Sequence, residues 1–318
     1  MVDSVEFTSE EAKQWMQRMV AADGTLFMRV FSELDGVLSF EDVDTDGAII
    51  SPVGPVHPIR DVDSAFTPRA LAGDARFSMD FSYYDASVEG SVWQDAAMTI
   101  PAVNTGDPVR VWADLSGRQR HLTEKVGYSP PTLVVSGRTR WVVGNGTDQA
   151  LEASSFGFAG SKELSCYAGV QGPAPSRSRP VVSVSDNSGS ASMDGDAAVI
   201  LYRGDSGSGP NWGVRSGGGA AGILDDFGSK CVTETLVGHI YCWVRVYMDG
   251  GAYKHGQAGG YKSNRYSNIN GQFLTLFQAV GLNDLSDAGV NCFAVFNGIP
   301  PMRYQQLLRA WAAERVWR

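Results

Sequence analysis

From about residue 76 onward, apolar positions recur in short runs separated by Gly, Ser, Asn and Asp. The runs are "RTRWVVGN", "KELSCYAGV", "PVVSVSD", "AAVILYR", "NWGVRS", "HIYCWVRVYMD", "QFLTLFQAV" and "VNCFAVFNG". Runs of this length, rich in Val, Ile, Tyr, Phe and Trp and bounded by turn residues, predict β-strands. A single sheet of short strands cannot bury both of its faces, so eight or more such strands predict two antiparallel sheets packed as a sandwich. The chain then closes on "PPMRYQQLLRAWAAERVWR". Here Pro301 suits a first helical turn, and Tyr304, Leu307, Leu308 and Trp311 form an apolar stripe, which predicts a short helix packed back on the sandwich.

The beginning of the chain has a different pattern. In "TSEEAKQWMQRMVAAD", residues 8–23, Thr8 and Glu11 match a capping box. Ala12, Trp15, Met16, Met19 and Val20 fall on one helical face, and Gly24 is a stop. An amphipathic helix is predicted there, followed by strands in "TLFMRVF" and "GAIISPV". The proline-rich "SPVGPVHPIRDVDSAFTP" reads as an irregular connector. Residues 1–75 therefore form an N-terminal α/β extension, and residues 76–318 form the sandwich. Residues 172–196, rich in Ser, Gly and Pro, read as loops flanking one strand.

Composition narrows the function classes. The 318 residues include 37 glycines, 43% apolar and 19% charged residues, which describes an ordered, turn-rich chain. The net charge of −9 repels phosphate and gives no electrostatic footprint for nucleic acid. No stretch approaches the roughly 20 apolar residues of a membrane helix. The N-terminus has neither the basic nor the apolar region of a secretory signal, so a soluble protein not exported by a cleaved signal is expected. The four cysteines, Cys166, Cys231, Cys242 and Cys292, have no C-x-x-C spacing and are expected as buried reduced thiols.

Candidate chemistry is sparse. "DVDTDG", Asp42 to Gly47, opens like a calcium loop, but its twelfth position is Val53, so the oxygen cage cannot close and a solvated turn is expected. Glu33-Leu34-Asp35 resembles the paired carboxylates of sandwich glucanases, yet no further Glu follows on that face. The histidines His57, His121, His239 and His255 show no metal spacing. "RSGGGAAG" and "GDSGSG" lack the Lys-Ser/Thr of a phosphate loop. "GDSG" echoes a protease nucleophile segment, but no partner motifs accompany it. No catalytic residue, metal or cofactor is indicated. Asn145-Gly146-Thr147 reads as a turn. Asn211, Trp212, Tyr253, Tyr261 and Tyr266, near the expected loops, could bind glycan, with aromatic faces covering sugar C–H groups and amides meeting hydroxyls.

One long stretch resembles a known family. It runs from "FSYYDASVEGSVWQDAAMTIPAVNTGDPVRVWADLSGRQRHLTEKVGYSPPTLV" through "RTRWVVGNGTDQALEA". Its order of motifs, from Tyr84-Asp85-Ala86-Ser87 through Trp93-Gln94-Asp95, Gly106-Asp107-Pro108-Val109 and Trp112-x-Asp114-Leu115-Ser116-Gly117 to Pro131-Thr132-Leu133, is similar to concanavalin A-like (laminin-G-like) sandwich domains of tailed-phage structural genes. The resemblance covers about residues 80–318. It implies a mainly β jelly-roll sandwich in which Asp114 to Gly117 is a structural turn, Trp112 lies in the core and His121 on the following polar strand.

The resemblance also implies a non-enzymatic virion component, a decoration, head-fibre or tail-tip protein presenting loops to host polysaccharide. Trp15, Met16 and Met19 of the extension would then dock onto other virion proteins or onto a second copy of the chain. The competing expectations are a carbohydrate-active depolymerase on the same sandwich and a purely structural cementing protein. Paired carboxylates on one strand face would mark the enzyme, and "HIYCWVRVYMD" carries only Asp249, at its end.

Overall fold

The computed structural model describes residues 66–74, 77–154, 156–161, 163–172, 230–237, 273–278 and 285–317, together with the remaining strands named below. The chain divides into two compact units, Met1–Asp61 and Val62–Arg318.

The first unit is an antiparallel meander of β1 (Ser4–Thr8), β2 (Lys13–Val20), β3 (Leu26–Leu34), β4 (Val37–Val43) and β5 (Ile49–Ser51), hydrogen-bonded in that order. The helix expected over residues 8–23 is corrected here to strand. β2 pairs with β3 through Trp15↔Phe31, Met16↔Val30, Met19↔Phe27 and Val20↔Leu26, and with β1 on its other edge. A partner as rich in β-branched and aromatic residues as "LFMRVFSEL" overrides a helix preference worth only tenths of a kcal/mol per residue. Among the described residues the unit is therefore all β, and not α/β. Trp15, Met16 and Met19 sit on β2, flanked by strands on both sides. Asp42 lies within β4, opposite Arg29, so "DVDTDG" starts inside a strand. Residues 52–65, the expected connector, lie outside the described residues, as do Asp35 and His57.

The second unit contains, in chain order, α1 (Arg69–Ala72), β6 (Phe81–Asp85), β7 (Val92–Trp93), β8 (Val111–Trp112), β9 (Leu122–Glu124), β10 (Thr132–Ser136), β11 (Thr139–Val143), β12 (Leu151–Ala153), β13 (Phe158–Ser161), β14 (Leu164–Gln171) and β15 (Arg179–Ser185). It continues with β16 (Val199–Asp205), β17 (Pro210–Ser216), β18 (Gly219–Leu224), β19 (Cys231–Val237), β20 (Cys242–Tyr247), β21 (Tyr253–Gln257), β22 (Ile269–Gly271), β23 (Phe273–Leu276), β24 (Gly289–Phe296) and α2 (Met302–Trp317). The described strands form the expected two-sheet antiparallel sandwich. The first sheet runs β10-β11-β24-β14-β19-β20-β21, with β6 also paired to β24. The second runs β18-β17-β16-β15-β23-β12-β9-β8-β7. All eight expected strand runs coincide with strands, and the expected C-terminal helix is α2.

Between the sheets the core is closed by aromatic rings from both sides. Tyr84 of β6 stacks on Phe293 of β24 at 4.5 Å between centroids, and Trp112 of β8, in the other sheet, meets Phe293 edge-on at 5.5 Å. Trp112, Trp141 and Phe293 are fully buried, as their apolar runs predict; the side chain of Trp243 lies outside the described residues.

The first sheet is buried on its second face as well. Register places Phe81, Tyr83 and Asp85 beside Phe296, Ala294 and Cys292, and Ser165, Tyr167 and Gly169 beside Leu236, Glu234 and Val232. The helix α2 lies over this set: Trp311 meets Tyr83 edge-on, and Arg309 and Arg315 reach Glu234 and Asp85. A sheet covered on both faces needs continuous apolar runs, which is why every residue of β24 is buried. Gly169 allows the close contact, since a Cβ there would stand 2.6 Å from Cγ2 of Val316.

Candidate functional site

The corner "VWADLSGRQRHLT" is structural. The Asp114 carboxylate accepts hydrogen bonds from the backbone N–H groups of Ser116 (3.0 Å) and Arg120 (3.2 Å) and from the Ser116 hydroxyl (2.8 Å), so it closes the turn after β8. It also accepts from Tyr83 N of the first sheet at 3.3 Å. His121 Nδ1 accepts the Asp114 N–H at 3.0 Å. Arg120 is held by Asp80 and lies 5.1 Å over the Phe158 ring, and the Tyr84 hydroxyl donates to the Arg120 carbonyl. The Asp114 carboxylate and the Tyr84–Arg120 bond thus join the turn to β6 of the first sheet.

The second sheet offers a different surface. Its core-facing residues are Leu122, Leu151, Leu274, Leu276, Val182 and Val184. Successive strand residues point to opposite faces, so the residues between these form a row on the outer face. Following the register, that row reads Trp93, Val111, Thr123, Glu152, Thr275, Ser183, Ile200 and Arg215 across β7, β8, β9, β12, β23, β15, β16 and β17. Its centre is hydroxyl, carboxylate, hydroxyl, hydroxyl.

Glu152 is the carboxylate of this row, and it is met by a loop residue. Lys125, just after β9, brings its ammonium 2.8 Å from Glu152 Oε2, with side chains 10% and 15% exposed respectively. The backbone sets this reach: Lys125 N donates to the Ala150 carbonyl, and Tyr128 N donates to the Lys125 carbonyl in a tight turn whose third residue, Gly127, has φ +85°. Only glycine adopts that angle readily. The turn swings Tyr128 back, so the Lys125 ammonium also lies 5.8 Å over the Tyr128 ring.

Gln278 completes the cluster. Its side-chain amide N–H donates to the Tyr128 hydroxyl, and its backbone carbonyl accepts from the Ser183 hydroxyl at 3.0 Å. Gln278 follows Phe277, whose φ of +66° is unusual for a bulky residue. Thr275 Oγ1 and Gln278 Oε1 are buried without a hydrogen-bond partner, which leaves acceptor and donor capacity beside the row. Nearby, Asp148 accepts from the Asn145 amide (2.7 Å) and the Ser129 hydroxyl (2.8 Å). Those bonds, the Asn145 bond first, hold its pKa below the usual value. A carboxylate, an ammonium, a phenol and an amide thus converge beside the exposed Thr123, with Thr275 and Ser183 buried beneath them, a set suited to hydrogen-bonding hydroxyls and to moving a proton.

Of the residues named from sequence for glycan contact, the described ones lie on other strands. Asn211 and Trp212 are within β17, opposite Gly204 and Arg203, and Tyr253 opens β21 opposite Tyr247, so these three are strand rather than loop residues. Tyr261 and Tyr266 lie outside the described residues, as does Asp249. Sequence reading missed Glu152, Lys125, Tyr128, Thr275 and Gln278. The available signal was the carboxylate of "ALEA", set between two apolar residues in a strand that otherwise alternates. Among the described residues no group of three His, Cys, Asp or Glu could hold a metal, and no helix is long and apolar enough to cross a membrane.

No family model and no curated protein sequence matches the chain. Solved structures do. An arabinofuranosidase complexed with arabinofuranosyl-α-1,2-xylobiose is similar over 96% of this chain and 60% of its own, at 13% identity and TM-score 0.50. A GH54 α-L-arabinofuranosidase variant soaked with 4-nitrophenyl α-L-arabinofuranoside is similar over 98% of this chain and 62% of its own, also at 13% identity and TM-score 0.50. A Trypanosoma rangeli sialidase is similar over 99% of this chain and 54% of its own, at 12% identity and TM-score 0.47. This chain spans about 60% of the length of the arabinofuranosidase chains. At these identities the likeness is one of fold. The expectation of a non-enzymatic virion component is corrected here: the two arabinofuranosidases that share the fold are carbohydrate-active enzymes. The sequence reading weighed paired carboxylates only within single strands, and register between strands lies outside that window.

Proposed function

We propose that the chain is a glycan-cleaving enzyme whose substrate meets the second sheet beside the exposed Thr123 of β9, with Glu152 as the reacting carboxylate. The observation that carries this reading is the position of Glu152. Its side chain is 15% exposed and stands between the hydroxyl residues Thr123 and Thr275 of the neighbouring strands, with an ammonium 2.8 Å away. The Glu152 side chain is more open than the buried Asp85, at 15% against 1%, while the oxygen that faces Lys125 is itself buried. The fold shared with arabinofuranosidases and the motif order of the concanavalin A-like class both support a sandwich that handles sugar.

The test is hydrolysis by the full chain of 4-nitrophenyl α-L-arabinofuranoside, arabinofuranosyl-α-1,2-xylobiose and a panel of other glycosides and polysaccharides. Glu152→Gln, nearly isosteric, is expected to abolish turnover while the thermal transition stays in place. Absence of cleavage across the panel, or an active Glu152→Gln, refutes the reading.

Residence on a phage particle is the finer part of the proposal. It rests on the motif resemblance and on the separate unit Met1–Asp61, whose β2 carries Trp15, Met16 and Met19. Co-sedimentation of the full chain with particles, lost on removal of residues 1–61, is the outcome it requires.

A further inference from the structure

We infer that Tyr128 is the proton donor to the departing sugar, with Glu152 as the base that activates water; this rests on the glycan-cleaving reading above. The argument begins with hydrogen-bond direction. The Gln278 amide donates to the Tyr128 hydroxyl oxygen, so that bond occupies a lone pair and leaves the phenolic proton free for another acceptor. Tyr128 is partly exposed, at the same open edge of the cluster as the fully exposed Val126 of its turn. No acceptor for its proton is found among the described residues.

Charge assigns the two roles. Lys125 bonds the Glu152 carboxylate and lies over the Tyr128 ring, so one ammonium touches both groups. A carboxylate paired with an ammonium offers acceptor oxygens, whereas the Tyr128 hydroxyl carries a proton to give. The same charge stabilises negative charge developing on a phenol that has given its proton up. The other nearby carboxylates are committed elsewhere: Glu124 to Arg110, and Asp148 to Asn145 and Ser129. The cluster thus holds a carboxylate that can accept a proton and a hydroxyl that can give one.

The step balances as follows. The O–H bond of Tyr128 breaks and its proton goes to the glycosidic oxygen as the bond from that oxygen to the anomeric carbon breaks. The oxygen of a water molecule adds to the anomeric carbon, and Glu152 takes the proton that the water loses. Solvent then carries that proton from Glu152 back to the Tyr128 phenolate, and both groups return to their starting states.

Leaving-group dependence tests this assignment. 4-Nitrophenolate departs without a proton, whereas the xylobiose of arabinofuranosyl-α-1,2-xylobiose needs one. Tyr128→Phe in the full chain is therefore expected to slow cleavage of the xylobioside on the order of a hundredfold or more, and that of 4-nitrophenyl α-L-arabinofuranoside less than tenfold. Glu152→Gln is expected to slow both alike. Equal losses on the two substrates in Tyr128→Phe, or none on either, overturn the donor role while leaving the glycan-cleaving reading intact. A wild-type chain that cleaves neither substrate nor any other glycoside overturns both.

Discussion

The Arg315 guanidinium lies 2.7 Å from the Asp85 carboxylate, the two side chains 7% and 1% exposed, and this pair ties the end of α2 to β6 across the outer face of the first sheet. Ser87 supplies its N–H and its hydroxyl to the other oxygen of the same carboxylate. A second pair, Arg309 with Glu234 at 3.2 Å, sits further back along the helix over β19. Together they fix where a helix with an otherwise apolar underside can rest.

Removing one partner of such a pair leaves the other charged and out of water, which costs about 3–5 kcal/mol. Arg315→Met and Asp85→Asn are each expected to lose that much in urea unfolding. The double variant is expected to lose less than the sum of the two, because no stranded charge remains. Additive losses would show that the pair is not coupled.

Trp112→Ala removes a fully buried ring that bridges the two sheets through Tyr84 and Phe293. The expected loss is about 3–5 kcal/mol, the range for large aromatic truncations in cores. Calorimetry measures it, and a loss below 1 kcal/mol would mean that the two sheets do not depend on this contact.

Burial pushes the Cys166 thiol up to about 12, and burial, then the neighbouring Asp85 charge, raises that of Cys292 well above its ordinary value. Neither forms thiolate near neutral pH, and Cys231 is buried with them. At pH 8 a thiol-reactive reagent followed by peptide mapping is expected to leave Cys166, Cys231 and Cys292 unlabelled in the folded chain. All three should be labelled in denaturant.

Three exposed carboxylates organise loops: Asp95 accepts from Thr99 and Ile100, Asp107 from Asn104 and Val103, and Asp148 from Asn145 and Ser129. These bonds lower each pKa from the ordinary 3.8. A lowered folded pKa means that the stabilisation is complete above the unfolded value and is lost as pH falls through the folded one. Amide exchange at Thr99, Ile100, Val103 and Asn104, corrected for intrinsic rate, is therefore expected to be unchanged from pH 7 to pH 5 and to rise below pH 3.8. Asp95→Asn should raise exchange at Thr99 and Ile100 already at pH 5.

The sequence by itself determined the strands of the sandwich, the C-terminal helix and the structural corner at Asp114. Each rests on local physics: period-two burial, a stripe at helical spacing, and a short carboxylate that closes its own turn. It could not determine β2, because Trp15, Met16, Met19 and Val20 satisfy helical spacing and strand pairing equally. The choice lay with β3, a partner outside the window. It could not determine the outer row of the second sheet either. Thr123, Glu152, Thr275 and Ser183 become neighbours through register between strands far apart in the chain, and Lys125, Tyr128 and Gln278 join them through two positive-φ bends. A sheet face is ordered by hydrogen-bonded register rather than by sequence distance, so only the tertiary structure could put these side chains in one place.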